Sequence, residues 1–275
     1  MKMSNPIVEA YSRLATQYDD DLNIKSCWGR AADRALSLIE VAGRHHSILD
    51  VGCGTGRALA LLASSAPGCK FTGIDPADNM RHLAAARCKA FDNVRVLAGS
   101  FESIPANAAS FDYLYSILAF HWTTDLEGSV RELARVLKAG GEMDLFFIGR
   151  DNGREFIQKT TPIFLRYLRP QGLLRTAQLR KQLTREAALQ LFSRVFDPDH
   201  LSVEEAFETY YDSLEGHWAW WVRIEGHFMQ LPSALKEPCD REVKAAIQSL
   251  DSPKGIPYTI HRLHVRLRQD ERPLA

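Results

Sequence analysis

The chain has 275 residues, 45% of them apolar and 25% charged, with 34 basic and 34 acidic side chains. Such a length buries a core without disulfide or metal staples, and the composition excludes long disorder, collagen-like repeats and coiled coil. The even charge balance disfavours a protein that holds nucleic acid through bulk charge.

In chain order, residues 6–18 and 28–41 read as helices. From Ile48 to Ile148 short apolar runs alternate with helical patterns, the signature of a parallel sheet with crossover helices. Strands are predicted at 48–51, 71–75, 94–98, 111–116 and 142–148, and helices at 57–64, 79–90 and 126–137. The last of these carries Leu126, Val130, Leu133 and Leu137 on one stripe, followed by Lys138 to Gly141 as a cationic last turn and glycine stop. The stretch 149–183 reads as an elaboration over the sheet's C-terminal edge. Helices are predicted at 155–168, 184–196 and 240–250, while 201–211 fits strand or helix. In 258–268, Leu263, Val265 and Leu267 alternate with Arg262, His264, Arg266 and Arg268, which predicts a half-buried strand near a sheet edge. The five scattered cysteines contain no Cys-x-x-Cys pair, the start is polar, and no apolar run approaches the roughly 20 residues of a membrane span. A reduced, cytoplasmic, soluble protein without a metal site is expected.

The most informative stretch runs from Ile48 through Gly52, Gly54 and Gly56 into a helix. Alternate glycines permit φ > 0 and close backbone approach, and the helix start offers unpaired N–H groups. A dinucleotide loop would read G-x-G-x-x-G, whereas this one reads G-x-G-x-G. The next strand ends in Asp75, where a carboxylate beside the glycine loop can accept from both hydroxyls of a ribose.

This pair resembles the class I S-adenosylmethionine-dependent methyltransferases. Asp50 to Gly56 is similar to their first motif and Asp75 to Met80 to the second. Leu97 to Pro105 resembles the adenine-contacting loop, Phe111 to Trp122 the fourth strand and its turn, and Leu133 to Gly141 the approach to the fifth strand. The resemblance implies a doubly wound, Rossmann-like, seven-stranded and mostly parallel α/β sheet with an antiparallel C-terminal strand. It also implies a single domain: N-terminal helices or lid (1–45), cofactor-binding core (46–148), helical cap and substrate region (149–250) and C-terminal strand (251–275). Carried over residue by residue, Asp50, Gly52, Gly54 and Gly56 border the methionine and ribose of S-adenosyl-L-methionine, whose product is S-adenosyl-L-homocysteine. Asp75 holds the ribose, Pro76 and Met80 pack near adenine, Ser100 and Phe101 contact it, and Ile117 offers backbone to the methionyl ammonium. Ser100 departs from the family, which commonly has Asp there; a serine hydroxyl accepts more weakly.

Residues 10–20, with Tyr11 and Tyr18 seven apart on one helix side, resemble the Y-x-x-x-A-x-x-Y-D helix of the small-molecule branch. That branch includes the biotin-pathway malonyl-carrier-protein and quinone methyltransferases, in which this helix covers the cofactor. The alternative is that both tyrosines are ordinary aromatics of an amphipathic helix. His121, after the fourth strand, is the candidate catalytic group, a general base for a hydroxyl or amine, or else a histidine that packs beside the cofactor. His45 and His46 precede the first strand and read as structural. In the aromatic run 215–228, His217, Trp218 and Trp221 are candidate substrate residues, with Phe228 on the same helix side and Trp220 pointing elsewhere; core packing is the competing reading. Lys159, Arg166, Arg169, Arg175, Arg180, Lys181 and Arg185 occur without an acid between 156 and 185. They form either a dock for an acidic carrier protein or a solvated face.

The expectation is a methyltransferase of a small molecule or carrier-bound acyl group, monomer or homodimer, acting on oxygen, with a carboxylate among the candidate acceptors. Alternatives are N- or C-methylation of a secondary metabolite, a cofactor-binding module without transfer, a cofactor-assisted rearrangement, and RNA methylation, which predicts steeply salt-dependent binding.

Overall fold

The computed structural model describes residues 6–178, 181–222 and 231–268. Its helices are α1 (Pro6–Tyr18), α2 (Asp21–Ile24), α3 (Cys27–Leu36), α4 (Arg57–Ser65), α5 (Asp78–Arg87), α6 (Leu126–Val136), α7 (Arg154–Gln178), α8 (Arg185–Phe192), α9 (Leu214–Trp220) and α10 (Ser233–Gln248). The strands are β1 (Ser47–Val51), β2 (Lys70–Asp75), β3 (Val94–Ala98), β4 (Phe111–Ile117), β5 (Leu137–Ile148), β6 (Leu201–Asp212) and β7 (Ile256–Leu267). They form one seven-stranded sheet in the order β3-β2-β1-β4-β5-β7-β6. The first five are parallel, and β7 runs antiparallel to both β5 and β6. The expected doubly wound α/β sheet is therefore present, with the chain direction reversed at its C-terminal strand.

Alternate residues of each strand serve opposite layers, as the period of two requires. Ile48, Phe71, Tyr113, Tyr115 and Phe146 pack with Leu59 and Ala63 of α4 and Ala35 of α3. Their neighbours Leu49, Ile74, Leu114, Leu145 and Phe147 pack with Val130 and Leu133 of α6 and Phe192 of α8. Reversal of strand order at β1 and β4 places the ends of both strands beside a crevice at the sheet's C-terminal edge, where open α/β sheets take ligands.

Several expectations need correction; the helix expected at 28–41, for one, ends at Leu36. Helix α6 ends at Val136, one residue early, and Leu137 already pairs with Phe111. The Lys-Ala-Gly-Gly run is no helix stop; it lies where β4 and β5 shift register, with Gly140 at φ 76 and Lys138 Nζ 3.2 Å from Asp112. The helix expected at 155–168 extends to Gln178, broken at Arg169 (φ 57), where Pro170 disfavours helical backbone in its predecessor. Finally, β7 is not half-buried at an edge. The ambiguous stretch before it is the strand β6, which takes the edge and covers β7, so Arg262 and His264 of the polar row are buried, as is His261 on the opposite face. Carboxylates offset the desolvation: His261 Nε2 lies 2.8 Å from Glu205, Arg262 3.4 Å from Glu208, and His264 Nε2 2.6 Å from Asp144.

Candidate active site

The turn after β1 is built by backbone demands. The amides of Gly52 and Cys53 both donate to the Ile74 carbonyl, at 2.8 and 2.9 Å, which folds the loop over the end of β2. Gly52, Gly54 and Gly56 sit at φ 77, 54 and 76, where a side chain would be strained. They differ in what a Cβ would meet. At Gly52 it would lie 2.5 Å from the Ala119 methyl, and at Gly56 2.9 Å from Ala84 of α5, whereas at Gly54 it meets nothing within 4 Å. Two of the glycines thus serve packing, and Gly54 alone presents bare backbone to open space.

Asp75 closes β2 beside this loop. Its Oδ1 accepts from the Ala77 amide at 2.8 Å and its Oδ2 from the Gly54 amide at 3.0 Å. Burial raises its carboxyl pKa, opposed by those two donors and by Arg81. Asp50, buried one turn earlier on β1, is pushed up to about 7 by burial, with Tyr115 opposing and Asp75 adding. Burial also drives the Cys53 thiol well above its ordinary range, so that cysteine is an inert packing group.

Around Gly52 and Gly54 the crevice has two lobes. One, of about 1100 Å³ counting space continuous with solvent, is lined by Asp75, Pro76, Met80, Ser100, Phe101 and Glu102 among others. The second, of about 1110 Å³, is lined by Asp50, Trp28, Asn152, His121, Gln182 and Trp220 among others. Tyr11, Tyr18, Ile117, Leu118 and Trp122 line both. Leu118 holds φ 53, a left-handed backbone at the junction of the lobes. The helix α1 forms the shared wall. Tyr11 meets Tyr18 at 6.0 Å and Trp122 at 6.1 Å between ring centroids, and Ala15 packs on Ala77 and Met80 of the first lobe. Burial, with Asp19 and Asp75 nearby, pushes the Tyr18 phenol up to about 12 and keeps it neutral.

Ser100 and Phe101 stand on the first lobe, Phe101 edge-on to Phe120 at 5.2 Å. Sequence reasoning missed Glu102 beside them. Despite its burial it is held down to about 2 by hydrogen bonds from Thr123, Thr124 and Ser100; Thr123 Oγ1 is at 2.7 Å and the Thr124 amide at 2.6 Å. His121 is buried on the second lobe, in a 3-10 turn, with the Ile148 amide 3.5 Å from Nδ1. His45 packs on Tyr113 and contacts Glu142, below the sheet's other end.

The aromatic segment is arranged otherwise than expected. Trp221 is 2% exposed, stacks on Phe164 at 5.4 Å and donates to Asp240, while Trp218 joins the same cluster of α7 and α10. His217 Nε2 faces the Ile256 carbonyl at 3.2 Å. None of the three lines either lobe; Trp220 does, stacked on Trp28 at 4.8 Å. The expected residues mark the phase of α9 that faces α10, so the cavity receives the opposite side. Trp28 was legible only as the start of a helix. His227 and Phe228 lie outside the described residues, as does Arg180; for Arg175 only the backbone is described. In the basic segment Arg166 pairs with Glu242, and Arg185 donates to the Val203 carbonyl at 2.9 Å.

Residues 49–144 match the family described as the methyltransferase domain. The chain is similar to the demethylmenaquinone methyltransferase of Tropheryma whipplei, 32% identical over 174 residues, covering 62% of this chain and 66% of that protein. It is also similar to the malonyl-[acyl-carrier protein] O-methyltransferase of a Paenibacillus species, 30% identical over 182 residues, covering 62% and 65%. The chain thus spans just under two thirds of the length of these relatives. Among solved structures, YcgJ of Bacillus subtilis superposes with a TM-score of 0.58 at 19% identity, covering 88% of this chain and 99% of that one, a likeness of fold.

Proposed function

We propose that this chain, which carries a methyltransferase domain at residues 49–144, moves the methyl group of S-adenosylmethionine onto an oxygen of a small molecule or carrier-bound acyl group. One observation carries the reading: a buried carboxylate, Asp75, stands beside the bare backbone of Gly54 in a lobe that shares Gly52 and Leu118 with a second lobe. The residues fit that nucleoside. Asp75 spends one lone pair of each oxygen on a backbone amide and retains acceptor capacity for a ribose diol. Phe101, Pro76 and Met80 offer apolar surface to adenine, and Ser100 an oxygen. Gly54 leaves room for the methionyl arm, and the Ile117 backbone faces its ammonium end.

When bound, the sulfonium supplies an electrophilic methyl group. The chain's task is then to hold the acceptor in line and exclude water, so proximity supplies most of the acceleration. The wall of Tyr11, Tyr18 and Trp122 excludes water from the junction. Trp28, Trp220 and Asn152 shape the acceptor lobe. A carboxylate or phenolate acceptor arrives already nucleophilic and asks no base of the chain; a neutral hydroxyl would draw on His121. One relative's name supports an oxygen acceptor, a carrier-bound malonyl group; the other's name gives a demethylmenaquinone and no acceptor atom.

For a carrier-bound substrate, Lys159, Arg169 and Lys181 are the proposed contacts for an acidic carrier. Ile157 and Leu165 of α7, the helix that carries Lys159 and Arg169, are exposed at 47% and 42%. The five buried free thiols fit a reducing compartment. The test is calorimetry with S-adenosylhomocysteine, followed by mass spectrometry of products from a malonyl thioester and a hydroxynaphthoquinol. A product heavier by one methylene supports transfer; cofactor binding with every acceptor unchanged in mass would reduce the chain to a binding module.

A further inference from the structure

Arg87, the last residue of α5, is not among the residues lining either lobe. Its guanidinium nevertheless reaches two elements that matter to both. It donates to the Thr55 carbonyl at 2.9 Å and the Thr55 hydroxyl at 3.0 Å, inside the glycine loop, and to Asp19 Oδ2 at 2.7 Å, immediately after α1. The Thr55 hydroxyl in turn donates to Asp19 Oδ1 at 3.0 Å. The result is a closed ring of hydrogen bonds joining α1, the glycine loop and α5, with Thr55 buried.

We propose that Arg87 is a positioning residue that locks α1 onto the glycine loop, so that one gate closes the nucleoside lobe and the acceptor lobe together. The proposal rests on the cofactor reading above. The side chains of α1 that line both lobes, Tyr11 and Tyr18, precede the lock by eight residues and one. Lifting α1 uncovers a ligand held behind them. The N-terminal half of α1 has its own attachments: Asn79 donates to Ser12 O at 2.8 Å, and Ile7 and Ala10 pack with Trp122 and Trp220. Loss of the lock therefore loosens the helix's C-terminal end and leaves the fold in place. Because Trp220 of the acceptor lobe packs on this same helix, lifting α1 also loosens acceptor binding. The lock's bonds are charge-assisted, but its ion pair is only partly buried, with side chains 34% and 24% exposed, which discounts its strength.

The experiment measures release of tritiated S-adenosylhomocysteine from the whole chain after a chase with unlabelled ligand. Arg87→Met should speed release about tenfold, raise the acceptor KM and leave kcat within about twofold; Arg87→Lys, which can still reach Asp19, should recover most of the difference. Asp19→Asn, nearly isosteric, carries the test if Arg87→Met fails to fold. The two changes combined should release no faster than the stronger single one, because they break one unit. Release rates unmoved in folded variants, or effects that multiply, would overturn the lock. A wild-type chain that does not bind S-adenosylhomocysteine would overturn the cofactor reading first, and the lock with it.

Discussion

Replacing Asp75 by alanine removes the carboxylate that we propose reads the ribose. In the folded chain that carboxylate already accepts from the Gly54 and Ala77 amides, so its remaining lone pairs are what the two ribose hydroxyls would meet. Hydrogen bonds to a charged acceptor contribute roughly 1.5–3 kcal/mol each. Burial disfavours the ionised form of Asp75, so the lower end applies, and two lost bonds amount to about 3 kcal/mol, or a Kd roughly 100-fold weaker. Isothermal titration with S-adenosylhomocysteine reads this directly. Alanine also leaves two backbone amides without their acceptor, so thermal melts must accompany the titration; Asp75→Asn, which retains an acceptor, should fall between, at about tenfold. A folded Asp75→Ala variant that binds within threefold of wild type would refute the ribose assignment.

The glycines should separate by function. Gly56→Ala forces a methyl to within 2.9 Å of Ala84 at φ 76 and should cost roughly 2–4 kcal/mol of stability. Gly54→Ala, meeting nothing within 4 Å, should cost about 1 kcal/mol yet abolish most cofactor binding; the opposite ranking in melts and titrations would contradict the loop's geometry. The raised Asp50 pKa, about 7 against 3.8, means that the folded chain binds more protons than the unfolded one between those values. Asp50 therefore lowers stability as pH rises through that window, so Asp50→Asn should melt higher than wild type at pH 7.5 and lose most of that advantage by pH 5. A pH-independent difference would argue against the shift. Reversing Lys159, Arg169 and Lys181 to glutamate should slow methylation of a carrier-bound acceptor at low salt while sparing a free thioester; equal slowing of both would place the carrier elsewhere.

The core was legible because its signals are local. An apolar strand, glycines at φ > 0 and a helix start occupy consecutive residues, and Asp75 terminates the next strand in register with β1. The misread parts depend on contacts distant in sequence. The polar row of β7 looked solvent-facing because alternation cannot reveal that Glu208 and Asp144 lie opposite it. In and just after the short helix α9 the tryptophans occupy two phases, and only packing against α10 decides that Trp218 and Trp221 are core and Trp220 is wall. Glu102 carried no motif of its own, and its role is set by Thr123 and Thr124 twenty-one and twenty-two residues away.

A crystal of the chain soaked with S-adenosylhomocysteine tests the central claim most directly. Ligand density running from the Phe101 side of the first lobe past Gly54, with both ribose hydroxyls within hydrogen-bond reach of Asp75, is the result expected. A vacant crevice at saturating ligand, or a nucleoside whose ribose lies away from Asp75, would contradict it.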